Sequence, residues 1–260
     1  MTETTSLAVS WKIVGDGILK VVLERPPANA LGLPIIDGLA AALDAADLGG
    51  AHVIVVSSAV PGFFAAGADI KYMINADVSA FTAYGDQLRA ALDRLASSER
   101  VTVAAVDGLA LGGGLELAMA CSLRVAGRGA LMGLPEVKLG LIPGAGGTQR
   151  LPRLVGRGRA LEIMLTGRQV GAEEAYAIGL IDRLVDEGTA EDAALQVASE
   201  LRQLSLPAQQ ALIRTVDAAF DVPLTGGYAL EAEEVRSLFE RGEAREGMTA
   251  FLEKRRPDFA

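Results

Sequence analysis

Two short β-branched runs, Val9–Val14 and Ile18–Leu23, flank Gly15-Asp16-Gly17 near the start of the chain. The pattern predicts an antiparallel hairpin, because glycine accepts the positive φ that tight turns between strands require. A loop marked by Arg25-Pro26-Pro27 and running through Ala28-Asn29-Ala30-Leu31 follows, and the Ala- and Leu-rich spacing from about Pro34 to Ala46 then predicts a helix with one face on a sheet. From there one pattern is used three times: an apolar run, a glycine-rich turn, then a helix or a further loop. Val53–Val56 leads into Pro61-Gly62-Phe63-Phe64-Ala65-Ala66-Gly67-Ala68-Asp69. Val101–Val106 leads into Asp107-Gly108 and Gly112-Gly113-Gly114, with an apolar helix to about Leu123, and Leu131–Leu134 leads into Pro135-Glu136 and then Ile142-Pro143-Gly144-Ala145-Gly146-Gly147. This recurrence predicts stacked α/β units around a common core.

Beyond Thr166 the pattern reads as helical, and from about Pro207 charge density rises through Glu231, Glu233, Glu234, Arg236, Glu240 and Arg241. A boundary here divides the chain into a core, residues 1–205, and a helical region, residues 206–260. Leu224, Val235, Phe239, Met248, Phe251 and Leu252 give that region an apolar face, which predicts self-association.

Composition narrows the class. With 260 residues, 50% of them hydrophobic and 22% charged, the chain buries roughly three quarters of its unfolded surface, and disordered or collagen-like chains are excluded. The 24 basic and 33 acidic residues leave a net charge of −9, which repels phosphate backbones and anionic membranes, so no nucleic-acid partner is expected. The one cysteine, Cys121, and the one histidine, His52, form neither an internal disulfide nor a His-rich zinc site. No basic region precedes an apolar run at the N-terminus, so a cytoplasmic setting is expected. The longest uncharged stretch, Leu48–Ala68, is broken by Pro61, Gly62 and Gly67 and reads as a buried strand and turn rather than a membrane span.

Between Leu109 and Leu123 the only formal charge is Glu116. A carboxylate in an apolar helix costs several kcal/mol in desolvation unless it is paired, hydrogen-bonded or protonated, so Glu116 is the leading candidate acid or base; the alternative is a structural ion pair with Arg124. Glu136 reads by itself as an exposed turn beside Lys138. Two carboxylates with no histidine near them are nevertheless what a proton-shuttling pair requires. The triple glycine lets a ligand approach the backbone, and the turn Ala65–Asp69 offers a second N–H, so an oxyanion hole can form between them. No Gly-Lys dipeptide exists, neither glycine cluster completes G-x-G-x-x-G, and no Gly-x-Ser-x-Gly accompanies His52, which disfavours nucleotide and serine-hydrolase chemistry. Cys121 reads as a small buried hydrophobe.

Three motifs in order, Phe64–Lys71, Asp107–Ala118 and Leu134–Leu151, resemble the enoyl-CoA hydratase (crotonase) family, and the resemblance runs from Arg25-Pro26 to Gly247–Arg255. It implies an α/β fold, the crotonase (ClpP-like) spiral of ββα units, with a C-terminal helical region that builds homotrimers, commonly paired into hexamers. It places the oxyanion hole on the N–H groups of Ala68 and Gly113, and a catalytic pair on Glu116 and Glu136. It puts Ala66, Asp69, Ile70 and Lys71 along the CoA path, with Phe251 and Lys254 reaching a neighbour's CoA. Pro61-Gly62 departs from the family by standing where members often carry a basic residue before the Phe, and Asp107 replaces a frequent Asn. The implied reaction adds water to a trans-2-enoyl-CoA thioester in acyl-CoA breakdown, with no metal or redox cofactor. Enoyl isomerisation is the nearest alternative. A non-catalytic RNA-binding member is the rival from another class, and the negative charge opposes it.

Overall fold

Gly15 and Gly17 take φ of +59° and +71°, and the turn they make returns the chain on itself in the computed structural model, which describes residues 4–5, 8–240 and 243–259. A short strand β1 (Thr4–Thr5) pairs antiparallel with β2 (Val9–Val14), and β2 pairs with β3 (Ile18–Leu23) in the register Val9↔Leu23 to Val14↔Ile18. Helix α1 (Leu33–Leu48) buries Ile35, Ile36, Leu39, Ala42, Leu43 and Ala46, the i, i+3, i+4 spacing of an amphipathic helix.

Three turns of the chain follow. The first is β4 (Val53–Ser58), β5 (Phe63–Ala65), α2 (Ile70–Met73) and α3 (Val78–Ala96); the second is β6 (Val101–Val106), β7 (Leu109–Leu111) and α4 (Gly113–Ala120). The third is β8 (Leu123–Gly127), β9 (Leu131–Gly133), a 3-10 turn over Glu136–Leu139, α5 (Gly147–Val155) and α6 (Arg157–Thr166). Each turn gives one strand to each of two sheets. The larger has the order β1-β2-β3-β4-β6-β8-β11 and the smaller β10-β9-β7-β5, after β10 (Val170–Gly171), α7 (Ala172–Ala177), β11 (Arg183–Val185) and α8 (Ala190–Arg202) complete the set. From β3 onward the larger sheet is parallel. Its interior strand β6 is buried throughout, which explains an uninterrupted apolar run rather than an alternating one. This is the mixed α/β spiral that the resemblance implies.

Three strands depart from the pattern expected of the sequence. The helix expected to reach Leu123 ends at Ala120, and Leu123 opens β8. Arg124 interrupts the apolar run that would have signalled a strand, yet it is buried because Asp182 Oδ2 accepts from its Nη2 at 2.9 Å and the carbonyls of Leu180 and Cys121 take Nε and Nη1. Beyond Thr166 the chain is not wholly helical: β10 and β11 are two and three residues long, too short for a period to show.

The chain divides into two compact units, Met1–Ala198 and Ser199–Ala260. The second holds α9 (Leu206–Ala218), α10 (Leu224–Glu240) and α11 (Glu243–Glu253). Arg214 forks onto both oxygens of Glu234 at 2.8 Å each, and Arg255 onto Glu246 at 2.6 and 3.0 Å. Leu212, Val216, Leu224, Tyr228, Val235, Phe239, Met248, Phe251 and Leu252 are exposed. No helix among the described residues is long and apolar enough to cross a membrane.

Candidate active site

Glu116 sits in the first turn of α4, every residue of which is buried; Glu116 itself is 2% exposed. The N–H groups of Ala145 and Gly147 each donate to its Oε1 at 2.8 Å, and Oε2 takes no protein donor among the described residues. Those two donors belong to the turn that opens α5, which two arginines hold. Arg150 Nη1 donates to Ala145 O at 3.0 Å and Nη2 to Asp93 Oδ1 at 2.7 Å, while Arg89 Nε donates to Gly144 O at 3.2 Å. Gly146 has φ +109°, so the backbone favours glycine there, and a Cβ would stand 2.1 Å from Arg150 Nη1 and displace the guanidinium. Burial lifts the Glu116 carboxyl above its ordinary range; the Gly147 and Ala145 donors, then the charges of Arg150 and Arg89, hold back part of the rise. The ion pair with Arg124 is not formed, since Arg124 serves Asp182.

Glu136 opens the 3-10 turn after β9. A Cβ built on Gly112, the residue that caps α4, would stand 2.8 Å from Glu136 Oε1, and Gly112 O accepts the Glu116 N–H at 3.0 Å. The Glu136 carboxyl therefore lies against the same helical turn that carries Glu116. Its Oε2 is buried and has no hydrogen-bond partner among the described residues. Burial pushes this carboxyl up to about 7, with its own N–H opposing and the Glu116 charge adding to the rise.

The backbone contributes the remaining polarity. Leu31 and Ala68 form an isolated parallel bridge, in which the Leu31 N–H donates to Gly67 O at 2.8 Å. Alternation along an extended strand then turns the Ala68 N–H away from Leu31. Gly113 is the first residue of α4, where no intrahelical acceptor is available. Among the described residues neither the Ala68 nor the Gly113 N–H has a protein acceptor. The two are neighbours: a Cβ on Gly113 would come 3.6 Å from Ala68 N, and one on Gly67 3.9 Å from Gly113 N. Two free donors side by side at a helix N-terminus favour developing negative charge. Their approach depends on Gly114, whose Cβ would stand 2.0 Å from Ala65 O.

A family model for enoyl-CoA hydratase/isomerase matches residues 14–260. The chain belongs to that family. A probable enoyl-CoA hydratase of Bacillus subtilis is 38% identical over 251 residues, which cover 95% of this chain and 96% of that one. The human enoyl-CoA hydratase domain-containing protein 2, mitochondrial, is 40% identical over 253 residues, 94% and 86% of the two chains. A solved enoyl-CoA hydratase from Bacillus anthracis shares 32% identity and superposes with a TM-score of 0.93 over 97% of this chain and 98% of its own.

In this member of the enoyl-CoA hydratase/isomerase family, one unit brings together Glu116, Glu136, Ala68 and Gly113. Asp69 is adjacent, but its carboxylate is already engaged. Arg25 Nη2 donates to Oδ2 at 2.6 Å and the Tyr72 N–H to Oδ1 at 3.2 Å; burial raises its pKa, and the Arg25 hydrogen bond and Tyr72 N–H outweigh that and hold it below the ordinary range. Ala66 donates its N–H to Ala28 O at 2.9 Å, Ile70 is 52% exposed, and Lys71 is exposed. Phe251 and Lys254 belong to the second unit, where Phe251 is 82% exposed and Lys254 has φ +55°. Sequence reasoning missed Arg89 and Arg150, which brace the turn that holds Glu116. Arg150 stands inside the third motif; Arg89 carries no local signal. Among the described residues no group of three His, Cys, Asp or Glu side chains could hold a metal ion.

Proposed function

We propose that this chain is an enoyl-CoA hydratase that adds water across the 2,3 double bond of a trans-2-enoyl-CoA to give the 3-hydroxyacyl-CoA, in acyl-CoA degradation. The observation that carries this reading is the juxtaposition of two carboxyls of unequal environment with two free backbone donors. The thioester oxygen sits between the N–H groups of Ala68 and Gly113, which stabilise the enolate charge that develops when a nucleophile attacks C3. Each such donor is worth about 10²–10³ in rate. Glu116, fixed through Oε1 by Ala145 and Gly147, uses Oε2 to orient water and take its proton as hydroxide adds to C3. Glu136, with a pKa near 7, is substantially protonated at neutral pH and gives its proton to C2. Passing the proton from Glu116 back to Glu136 resets the site, so only water and substrate are consumed and CoA is part of the substrate.

The remaining chain fits this role. Ala66, Ile70 and Lys71 flank the oxyanion donor in sequence and line the CoA path. The exposed apolar residues of α9, α10 and α11 support assembly into a homotrimer or a hexamer of paired trimers, in which Phe251 and Lys254 meet a neighbour's CoA. Incubation with crotonyl-CoA tests the reading. Loss of the conjugated enoyl absorbance with formation of 3-hydroxybutyryl-CoA is expected; no hydration of enoyl-CoA thioesters from four to sixteen carbons would contradict it.

A further inference from the structure

Tyr84 lies on α3, far in sequence from both glutamates, and its side chain is buried at 4% exposure. The hydroxyl donates to Leu31 O at 2.6 Å and accepts the Asp69 N–H at 3.1 Å. In a regular parallel pair, Leu31 would donate its N–H to Gly67 O, and its carbonyl would accept the Asp69 N–H, both through direct backbone bonds. Here only one of the two is direct, from the Leu31 N–H to Gly67 O at 2.8 Å. The Tyr84 hydroxyl is interposed in the other. Ala68 is the residue between these two fastenings. We propose that Tyr84 is a positioning residue for the proposed hydration reaction: its hydroxyl, wedged between Leu31 O and Asp69 N, sets the tilt of the 67–69 segment so that the Ala68 N–H points beside the Gly113 N–H.

Three observations support this. Gly67 has φ +94°, so the segment has a backbone freedom that something must remove. The other side chain that reaches the segment from elsewhere is Arg25, which joins Asp69 Oδ2 to Ala30 O at 2.6 Å each. That clamp acts through a side chain and does not fix the Asp69 peptide plane, whereas Tyr84 bonds the peptide itself. Burial also raises the Tyr84 pKa, so the hydroxyl keeps the proton it donates to Leu31.

The inference rests on the oxyanion hole proposed above, and the test separates the two. The probe is 4-(dimethylamino)cinnamoyl-CoA, a conjugated thioester whose donor group disfavours hydration and whose absorption moves to longer wavelength as the carbonyl is polarised. With the parent protein a red shift is expected on binding. No shift with the parent would overturn the oxyanion hole itself. Tyr84→Phe removes one oxygen and keeps the ring that packs on Tyr72 at a 5.3 Å centroid distance. It is expected to give a smaller red shift and a kcat for crotonyl-CoA roughly 10- to 100-fold lower, with KM changed less than threefold, as a misaimed but present donor should. A parent-like red shift and kcat in Tyr84→Phe would overturn the positioning role while leaving the oxyanion hole standing. Should Tyr84→Phe fail to fold, Tyr84→3,5-difluorotyrosine, compared with the parent at about pH 5.5 where the acidified phenol still holds its proton, keeps the ring and hydroxyl but weakens its oxygen as an acceptor for the Asp69 N–H; an intermediate red shift supports the role, and an unchanged one overturns it.

Discussion

Replacing Glu136 by Gln should make the protein more stable and less active at once, with a pH dependence that identifies the cause. In the folded chain the carboxyl titrates at about 7 against an ordinary 4.5, so folding favours its protonated form. That favourable contribution is complete below about pH 4.5 and is lost as the pH rises through 7, because the ionised group must then occupy a partly desolvated place next to the Glu116 charge. The whole displacement corresponds to about 3 kcal/mol. The carboxyl is not fully buried, and screening by solvent reduces the figure to about 1–2 kcal/mol. Glutamine has the same shape and cannot ionise, so Glu136→Gln escapes the loss. At roughly 2–4 °C per kcal/mol for a chain of this size, its Tm should exceed the parent's by about 2–8 °C at pH 8. The two Tm values should converge near pH 4.5, while hydration of crotonyl-CoA falls by at least about 10². Circular-dichroism melts at both pH values provide the check. A Tm difference of equal size at pH 4.5 and pH 8 would refute the reasoning, because it would show that charge burial at Glu136 is not what differs.

Glu116→Gln keeps an oxygen for the Ala145 and Gly147 donors, so it should fold normally while kcat falls by about 10²–10⁴; melting and steady-state kinetics together check this. Because the reaction as written uses protonated Glu136, kcat/KM of the parent should decline above pH 7, and Glu136→Gln should lack that limb in whatever activity remains. Gly114→Ala would place a methyl 2.0 Å from the Ala65 carbonyl oxygen, a backbone clash that α4 can relieve only by leaving β5, so a loss above about 4 kcal/mol and failure to give soluble protein at 37 °C are expected.

Much of this arrangement was legible along the chain because its signals are local. The Gly15-Asp16-Gly17 turn and its two flanking strands have the bounds their pattern predicts, and Glu116 stood out as one charge in an apolar helix. What escaped notice is non-local. Strand β8 was hidden by Arg124, whose charge is satisfied by Asp182, 58 residues away in sequence. Arg150 and Arg89 act on a turn that the first reaches by folding back and the second from another helix. Tyr84 is an ordinary buried position of an amphipathic helix until Leu31 and Asp69 are brought to its hydroxyl. Glu136 illustrates the same limit. Its sequence context reads as an exposed turn, and only the glycine at 112, with φ +53° and no side chain to exclude the carboxyl, admits it to the first turn of α4.

The central claim is that the paired carboxyls deliver one water to the alkene. It is tested most directly by turnover of crotonyl-CoA in 18O-labelled water, with the product analysed by mass spectrometry. The expected product is a 3-hydroxyacyl-CoA that carries one 18O at C3, formed at least about 10²-fold more slowly by Glu116→Gln than by the parent. An unlabelled product of unchanged mass with the double bond moved, or labelled product formed equally fast by Glu116→Gln, would contradict it.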